Sequence, residues 1–432
     1  MTYRQVILAL SIVFLLYFSG LHFDLGVLVI RPADVLLSAM ILVVLAEAVS
    51  SGSILTIRIK LGRVAVLLGV FVIYRFFNGL MQADFTIALK ELVQSMLIVG
   101  FALLLKHFCH TVQHRDLIFK HIRGLLLTAS LLLFFYFLLM GQPFGFKTFG
   151  PFKHLYALAA LFVLDRFLTK PSPSISLLLA SVMTIVVFSG EKKGWIALSF
   201  AAGYLIWEMY KRASARKKQY VRLSLASVVF VGVISIPILL PSTPYVVKQL
   251  NSLSEVAQMA SSRIFQDPRV ASIANRVSFS SRSNISRFYV LSTAMDQVQE
   301  TPLFGIGPQN LKPLVMASSP FSWLDPGAHN DYLNTLVEYG AVGLLLQLLI
   351  ISILFRYSVY LKKSTVDPAT KQQITFIQAL LLFGVVINGF FGGSDALNLL
   401  YLLVPMGLLF SIPNPHTGAD NHANDKYASD CR

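Results

Sequence analysis

Cysteine and charge are what this 432-residue chain has least of. Its two cysteines, Cys109 and Cys431, fall in a basic loop and in the C-terminal tail, which excludes a disulfide framework, and neither reads as catalytic. Charged residues make up 13% of the chain and hydrophobic residues 55%. A soluble domain carries about twice that charge, so an ordinary soluble fold is excluded. Acidic residues are scarce beside basic ones, 21 against 36, but the excess does not mark a nucleic-acid binder. Most basic residues fall in alternate loops between apolar runs, which is a topology signal. Zinc-ligand spacings, a glycine-lysine phosphate loop, a serine elbow, internal repeats and low-complexity tracts are all missing. Metal and nucleotide chemistry therefore have no support.

What the chain has is apolar runs, each long enough to cross a hydrocarbon core as a helix. Spans are expected near 5–20, 33–50, 64–80, 91–106, 124–140, 154–169, 175–190, 194–210, 223–240, 331–355, 374–391 and 396–412. The fold class is thus an all-α polytopic membrane protein with about twelve transmembrane helices. The N-terminal run is a retained first span, since no small-residue cleavage site follows it. Every second loop is basic, as with Arg58, Lys60 and Arg63, or Lys211, Arg212 and Arg216, so both termini are expected in the cytoplasm. Four regions follow: helices one to nine over 1–240, a large, partly helical periplasmic loop over 241–328, helices ten to twelve over 329–412, and a disordered cytoplasmic tail over 413–432. ISRFYVLSTAMDQVQE reads as an amphipathic helix of that loop, and PLFGIGPQNLKP as a turn-rich connector.

The outer loop carries Arg263, Arg269, Arg276, Arg282 and Arg287 with few lysines, against the tendency to keep positive charge inside. Guanidinium forks suit phosphate oxygens, although surface arginines often do no more than meet solvent or headgroups. SGEKKGWIAL places Lys192 and Lys193 in a short outer turn, where lysines either snorkel or bind an anion. His329 and Asn330 stand where the long loop meets an apolar run. An imidazole there either caps a helix or accepts a proton from an attacking hydroxyl. Glu338, nine residues further, orients polar groups or pairs between helices. Gly340 and Gly343 suit close helix packing, and Pro302, Gly305, Gly307 and Pro308 are turn formers.

These residues resemble the O-antigen ligase and Wzy-type polymerase superfamily of bacterial inner membranes. The match runs from Arg287 through ETPLFGIGPQNL to GAHNDYLNTLVEYGAVGLL, with an arginine, a proline-glycine turn, His329-Asn330, and Gly340-x-x-Gly343 after nine intervening residues. Gly150, Phe152 and His154 resemble a weaker sixth-span signature, with Tyr156 where asparagine is commoner. One departure is Glu-Lys-Lys-Gly where the family usually carries an arginine, so Lys192 or Lys193 would replace it. The resemblance implies metal-independent, inverting transfer of a glycan from undecaprenyl diphosphate to an acceptor hydroxyl, with no cofactor. It assigns His329 the base or acceptor-positioning role and places Arg287 and Lys192 or Lys193 at the diphosphate, with Asn330, Glu338 and Arg282 in support. The partners implied are the lipid-linked donor, a lipid A core or growing-glycan acceptor, and membrane lipids, on the periplasmic face.

Ligase and polymerase present the same constellation, and the ligase is preferred. A transporter or lipid flippase is the competing class. It would show repeated halves with broken helices near midplane, and no duplication is visible here. Arg75, a charge within a span, counts toward a pathway, yet its place near an outer helix end fits snorkelling.

Overall fold

The computed structural model describes residues 3–19, 23–24, 29–50, 63–139, 152–188, 192–212, 218–219, 222, 279–319, 330–391 and 397–413. The span expected at 223–240, residues 241–278 and 320–328 of the long loop, Cys431 and the tail lie outside the described residues. So does His329.

Within them the chain is helical: α1 (Tyr3–Ser19), α2 (Pro32–Ser50), α3 (Arg63–Gln82), α4 (Phe85–Phe108), α5 (Val112–Leu139), α6 (Phe152–Thr169), α7 (Pro173–Phe188) and α8 (Lys192–Arg212) precede the long loop. After it come α9 (Phe279–Glu300), α10 (Leu311–Ser318), α11 (Asp331–Ser364), α12 (Pro368–Phe391) and α13 (Leu397–Phe410). A minimal antiparallel hairpin joins α1 to α2, pairing β1 (Phe23–Asp24) with β2 (Val29–Ile30) so that Phe23 faces Ile30. Helices stand where eleven of the twelve apolar runs lie, and α9 covers the expected amphipathic segment.

Residues buried all round mark the centre. Every residue from Leu155 to Leu164 of α6 is buried, the pattern of a helix enclosed by others. Helices α7, α8 and α5 pack on α6, and α12 packs on α8, α11 and α13. The periphery has the opposite character. Along α3, Val66, Val70, Ile73, Phe77 and Met81 form one exposed stripe at helical spacing. In water such a stripe would demand a partner; against lipid it is the solvated face. The chain is a helical membrane protein. Among the described residues three helices, α4, α11 and α12, are long and apolar enough to cross a bilayer, and shorter apolar helices include Tyr3–Tyr17, Pro32–Ala46 and Pro173–Val186.

Polar clamps close one end of the bundle. Lys362 Nζ donates to Glu208 Oε2 at 2.7 Å and to Gln378 Oε1 at 3.2 Å. Buried Arg115 donates to Gln373 Oε1 at 2.8 Å and to the carbonyls of Cys109, His110 and Ser411, tying α5 to α4, α12 and the end of α13. Cys109, expected in a loop, is the buried C-cap of α4. These bonds fix which ends of the helices lie together. The opposite end, where α7 turns into α8 and α11 begins, carries the candidate site.

Candidate functional site

The centre of this end is a break in α11. Gly340 has φ 67° and ψ −172°, a conformation essentially confined to glycine. At such a break the helix loses the bonds from Ala341 N to Val337 O and from Val342 N to Glu338 O, leaving four backbone groups that need partners. The turn Pro302–Asn310 supplies all four. Ile306 N donates to Val337 O and Gly307 N to Glu338 O, each at 2.9 Å, while Ala341 N donates to Pro302 O at 2.9 Å and Val342 N to Leu303 O at 3.3 Å. The fit is tight enough to dictate sequence. A Cβ at Gly340 would lie 2.1 Å from Leu303 O, and one at Gly305, itself at φ 70°, would lie 2.4 Å from Val337 O. Gly340 is therefore a chain break with a turn threaded into it, not the helix-packing glycine expected from the sequence. Gly343 does pack closely, since a Cβ there would lie 3.4 Å from the Tyr74 ring and 2.4 Å from Tyr339 Cβ.

The break folds the helix back on itself. Gln347 Nε2 donates to Asp331 Oδ2 at 2.6 Å, although residues sixteen positions apart on a straight helix are separated by about 24 Å. The single span expected from residue 331 is corrected to two arms at an acute angle, 331–339 and 341–364. Asn330 caps the first arm by accepting from Leu333 N at 3.0 Å. It thus stands near the level of Gln347, about 10 Å inward from the break. Asp331, Asn334, Thr335 and Glu338 repeat at i, i+3, i+4 and i+7 and are all buried, so the short arm turns a polar face into the protein. On another side Tyr332 donates to Val385 O at 2.9 Å and lies against Gly389, docking the arm on the end of α12.

Helix α3 holds the break from behind. Tyr74 donates to Tyr339 O at 2.6 Å, Arg75 Nη2 donates to the Tyr339 hydroxyl at 3.0 Å, and Asn78 Nδ2 donates to Phe304 O of the turn at 2.6 Å. Arg75 in turn pairs with Glu91 Oε2 of α4 at 2.5 Å, and Gln309 Nε2 donates to Glu91 Oε1 at 3.3 Å. Arg75 is buried, so it does not snorkel as its position had suggested; charges at this depth are paired. The buried Glu338 carboxyl lies in the field of Glu91 and Arg75.

Residues 175–348 match the family described as Wzy_C, O-antigen ligase. Over those residues the chain is similar to the O-antigen ligase superfamily. No curated protein matches the chain. The ligase domain encloses every site residue expected from the sequence, and both the turn and the break fall within it.

The structure distributes those residues as follows. Lys192 and Lys193 open α8. Tyr204 of α8 bonds Gln378 of α12, and eleven residues before the first and eleven after the second, along antiparallel helices, Lys193 and Gly389 come to the same level. The lysine turn and the docked Tyr332 therefore share one end of the bundle. Arg282 and Arg287 lie on α9, which packs against α11. Ser286, Val290 and Ala294 face inward, and Arg287 stands on the exposed stripe with Leu291 and Met295. Phe152 and His154 begin α6, and Tyr156 is buried. Sequence reasoning missed Tyr74, Glu91, Gln309 and Tyr339. One signal was available: Arg75 and Glu91 are ionisable groups in consecutive apolar runs, and such groups seek each other.

Proposed function

We propose that this protein is a membrane glycosyltransferase of the O-antigen ligase type, transferring a glycan from undecaprenyl diphosphate to a lipid A core hydroxyl on the periplasmic face of the bacterial inner membrane. The observation that carries the reading is the match to the O-antigen ligase family at 175–348, within which a folded-back arm begins at Asn330. Both termini then lie in the cytoplasm, about twelve helices cross the bilayer, and 241–328 is the periplasmic loop. The Lys362 end is cytoplasmic by its charge.

Diphosphate is already a good leaving group, so the protein's tasks are to place the acceptor and to stabilise departing charge. The acceptor oxygen attacks the anomeric carbon from the face opposite the diphosphate, inverting it. The C–O bond to the diphosphate breaks as the new glycosidic bond forms, and His329 takes the hydroxyl proton. Arg287 and Arg282 meet the diphosphate from α9, and Lys192 and Lys193 meet it from the first turn of α8. Lysines there face the positive end of the helix dipole, an arrangement that a shared anion relieves. The reaction needs no metal in this scheme.

The test is transfer by purified protein from lipid-linked glycan to core acceptor. His329→Ala is expected to abolish product while membrane abundance stays normal; full transfer by that variant overturns the assignment. In a deletion strain, polymer missing from the core with lipid-linked polymer accumulating marks the ligase. Single-repeat caps would mark a Wzy-type polymerase instead, and substrate movement without a covalent product would mark a transporter.

A further inference from the structure

We propose that Arg75, held by Glu91, is a positioning residue of the transfer reaction. It fixes the Tyr339 hydroxyl and thereby sets the angle at which the Asn330 arm folds into the bundle. The inference rests on the function proposed above, and Arg75 and Glu91 lie outside the matched segment, since α3 and α4 precede residue 175.

Three observations carry it. Tyr339 is the last residue before the break, and consecutive residues of α3 hold both of its ends: Tyr74 its carbonyl and Arg75 its hydroxyl. The Arg75 guanidinium also lies 4.7 Å from the centroid of the Tyr339 ring, so its edge bonds the hydroxyl and the Glu91 carboxylate while its charge rests on the ring. Both bonds come from Nη2, so what a lysine lacks here is the planar, delocalised group that rests on the ring while it bonds. Finally, Glu91 joins the three parts that must agree for the arm to keep its angle. It bonds Arg75 of α3, lies 3.4 Å from the Tyr339 hydroxyl of α11, and accepts from Gln309 of the threaded turn.

A buried ion pair is not needed for stability alone, because apolar residues of similar volume serve as well or better. What a pair with directed bonds adds here is a defined orientation for one tyrosine, and hence for the arm 331–339 that it ends. Misplacing a reacting group by about 1 Å costs about a hundredfold in rate.

The experiment uses the purified full chain in lipid nanodiscs with lipid-linked donor and core acceptor. Tyr339→Phe removes one hydroxyl and leaves no stranded charge; the double variant Arg75→Met/Glu91→Gln removes both charges together, avoiding the unpaired ion that either single change would bury. Both are expected to lower kcat about 10- to 100-fold, with donor KM changed less than about twofold. Arg75→Lys is expected not to restore kcat. Amide hydrogen exchange should rise in the low-kcat variants over the Ile306–Gly307 and Ala341–Val342 segments and nowhere else. The proposal is overturned if kcat stays at the wild-type value in Tyr339→Phe and in the double variant, or if it falls without faster exchange at the break. His329→Ala separates the two levels: activity in that variant removes the reading of the site itself, whereas a dead His329→Ala beside a normal Tyr339→Phe and a normal double variant removes only the positioning role.

Discussion

Replacing Gly340 by alanine tests the threaded break directly. At φ 67° and ψ −172° a residue with a Cβ carries strain of about 1–3 kcal/mol. The new methyl would also stand 2.1 Å from Leu303 O, 2.2 Å from Leu303 C and 2.5 Å from Phe304 N. All three are backbone atoms, so no rotamer relieves the clash and the turn must withdraw. Withdrawal endangers the four bonds that cross the break, each worth about 1 kcal/mol net. The loss comes to about 4 kcal/mol or more, a large part of a typical stability. Gly203→Ala is the comparison, because a Cβ there meets nothing within 4 Å, and alanine in a helix interior is favoured over glycine by about 1 kcal/mol. Thermal unfolding of the two variants purified in the same detergent, with membrane abundance alongside, decides. Gly340→Ala should unfold far below wild type and Gly203→Ala at or above it. Equal unfolding midpoints would refute the threaded break.

Asn78→Ala removes the donor to Phe304 O and should cost about 1–3 kcal/mol through the stranded carbonyl, with faster amide exchange over Leu303–Gly307; unchanged exchange there would exclude a role for α3 in holding the turn. Asp367 caps α12, accepting from the Ala369 and Thr370 amides and from the Thr370 hydroxyl, bonds that hold its carboxyl below the usual range, the hydroxyl contributing most. A carboxylate lowered by folding stabilises above its unfolded pKa, and that contribution is lost as pH falls through the folded value. Asp367→Ala should therefore unfold earlier than wild type at neutral pH and converge with it in strong acid; a gap independent of pH would contradict the cap.

Helices were legible because lipid demands long apolar runs whatever their neighbours, and α9 because its polar and apolar positions alternate at helical spacing. The turn was legible from Pro302, Gly305, Gly307 and Pro308. Its destination was not. Nothing local to residues 302–310 says that their amides and carbonyls will complete a helix more than thirty positions away. Gly340-x-x-Gly343 fits helix packing and a helix break equally well as a pattern, since both need a missing side chain. The difference lies in a backbone dihedral that only the inserted turn imposes. Arg75 and Glu91 lie sixteen positions apart across a short connection and were pairable by depth alone, whereas Tyr339, which gives the pair its target, lies 264 positions from Arg75.

The start of the tenth span shows how that miss arose. A helix entering lipid at residue 331 would carry Asp331, Asn334, Thr335 and Glu338 on one face within its first two turns, and polar groups left unpaired in hydrocarbon cost several kcal/mol each. Their spacing is helical, which is why the span expected at 331–355 includes them. The break removes the conflict. The arm 331–339 buries its polar face inside the protein, bonded to Gln347, and leaves the arm 341–364 as the apolar candidate span. Its length of 24 residues (364 − 341 + 1) spans about 36 Å, enough for the hydrocarbon core without the polar segment. A polar stripe at the mouth of this apolar run, followed by Gly340, thus marks where the chain leaves the span and not where the span begins, and Asn330 caps the far end of the inserted arm.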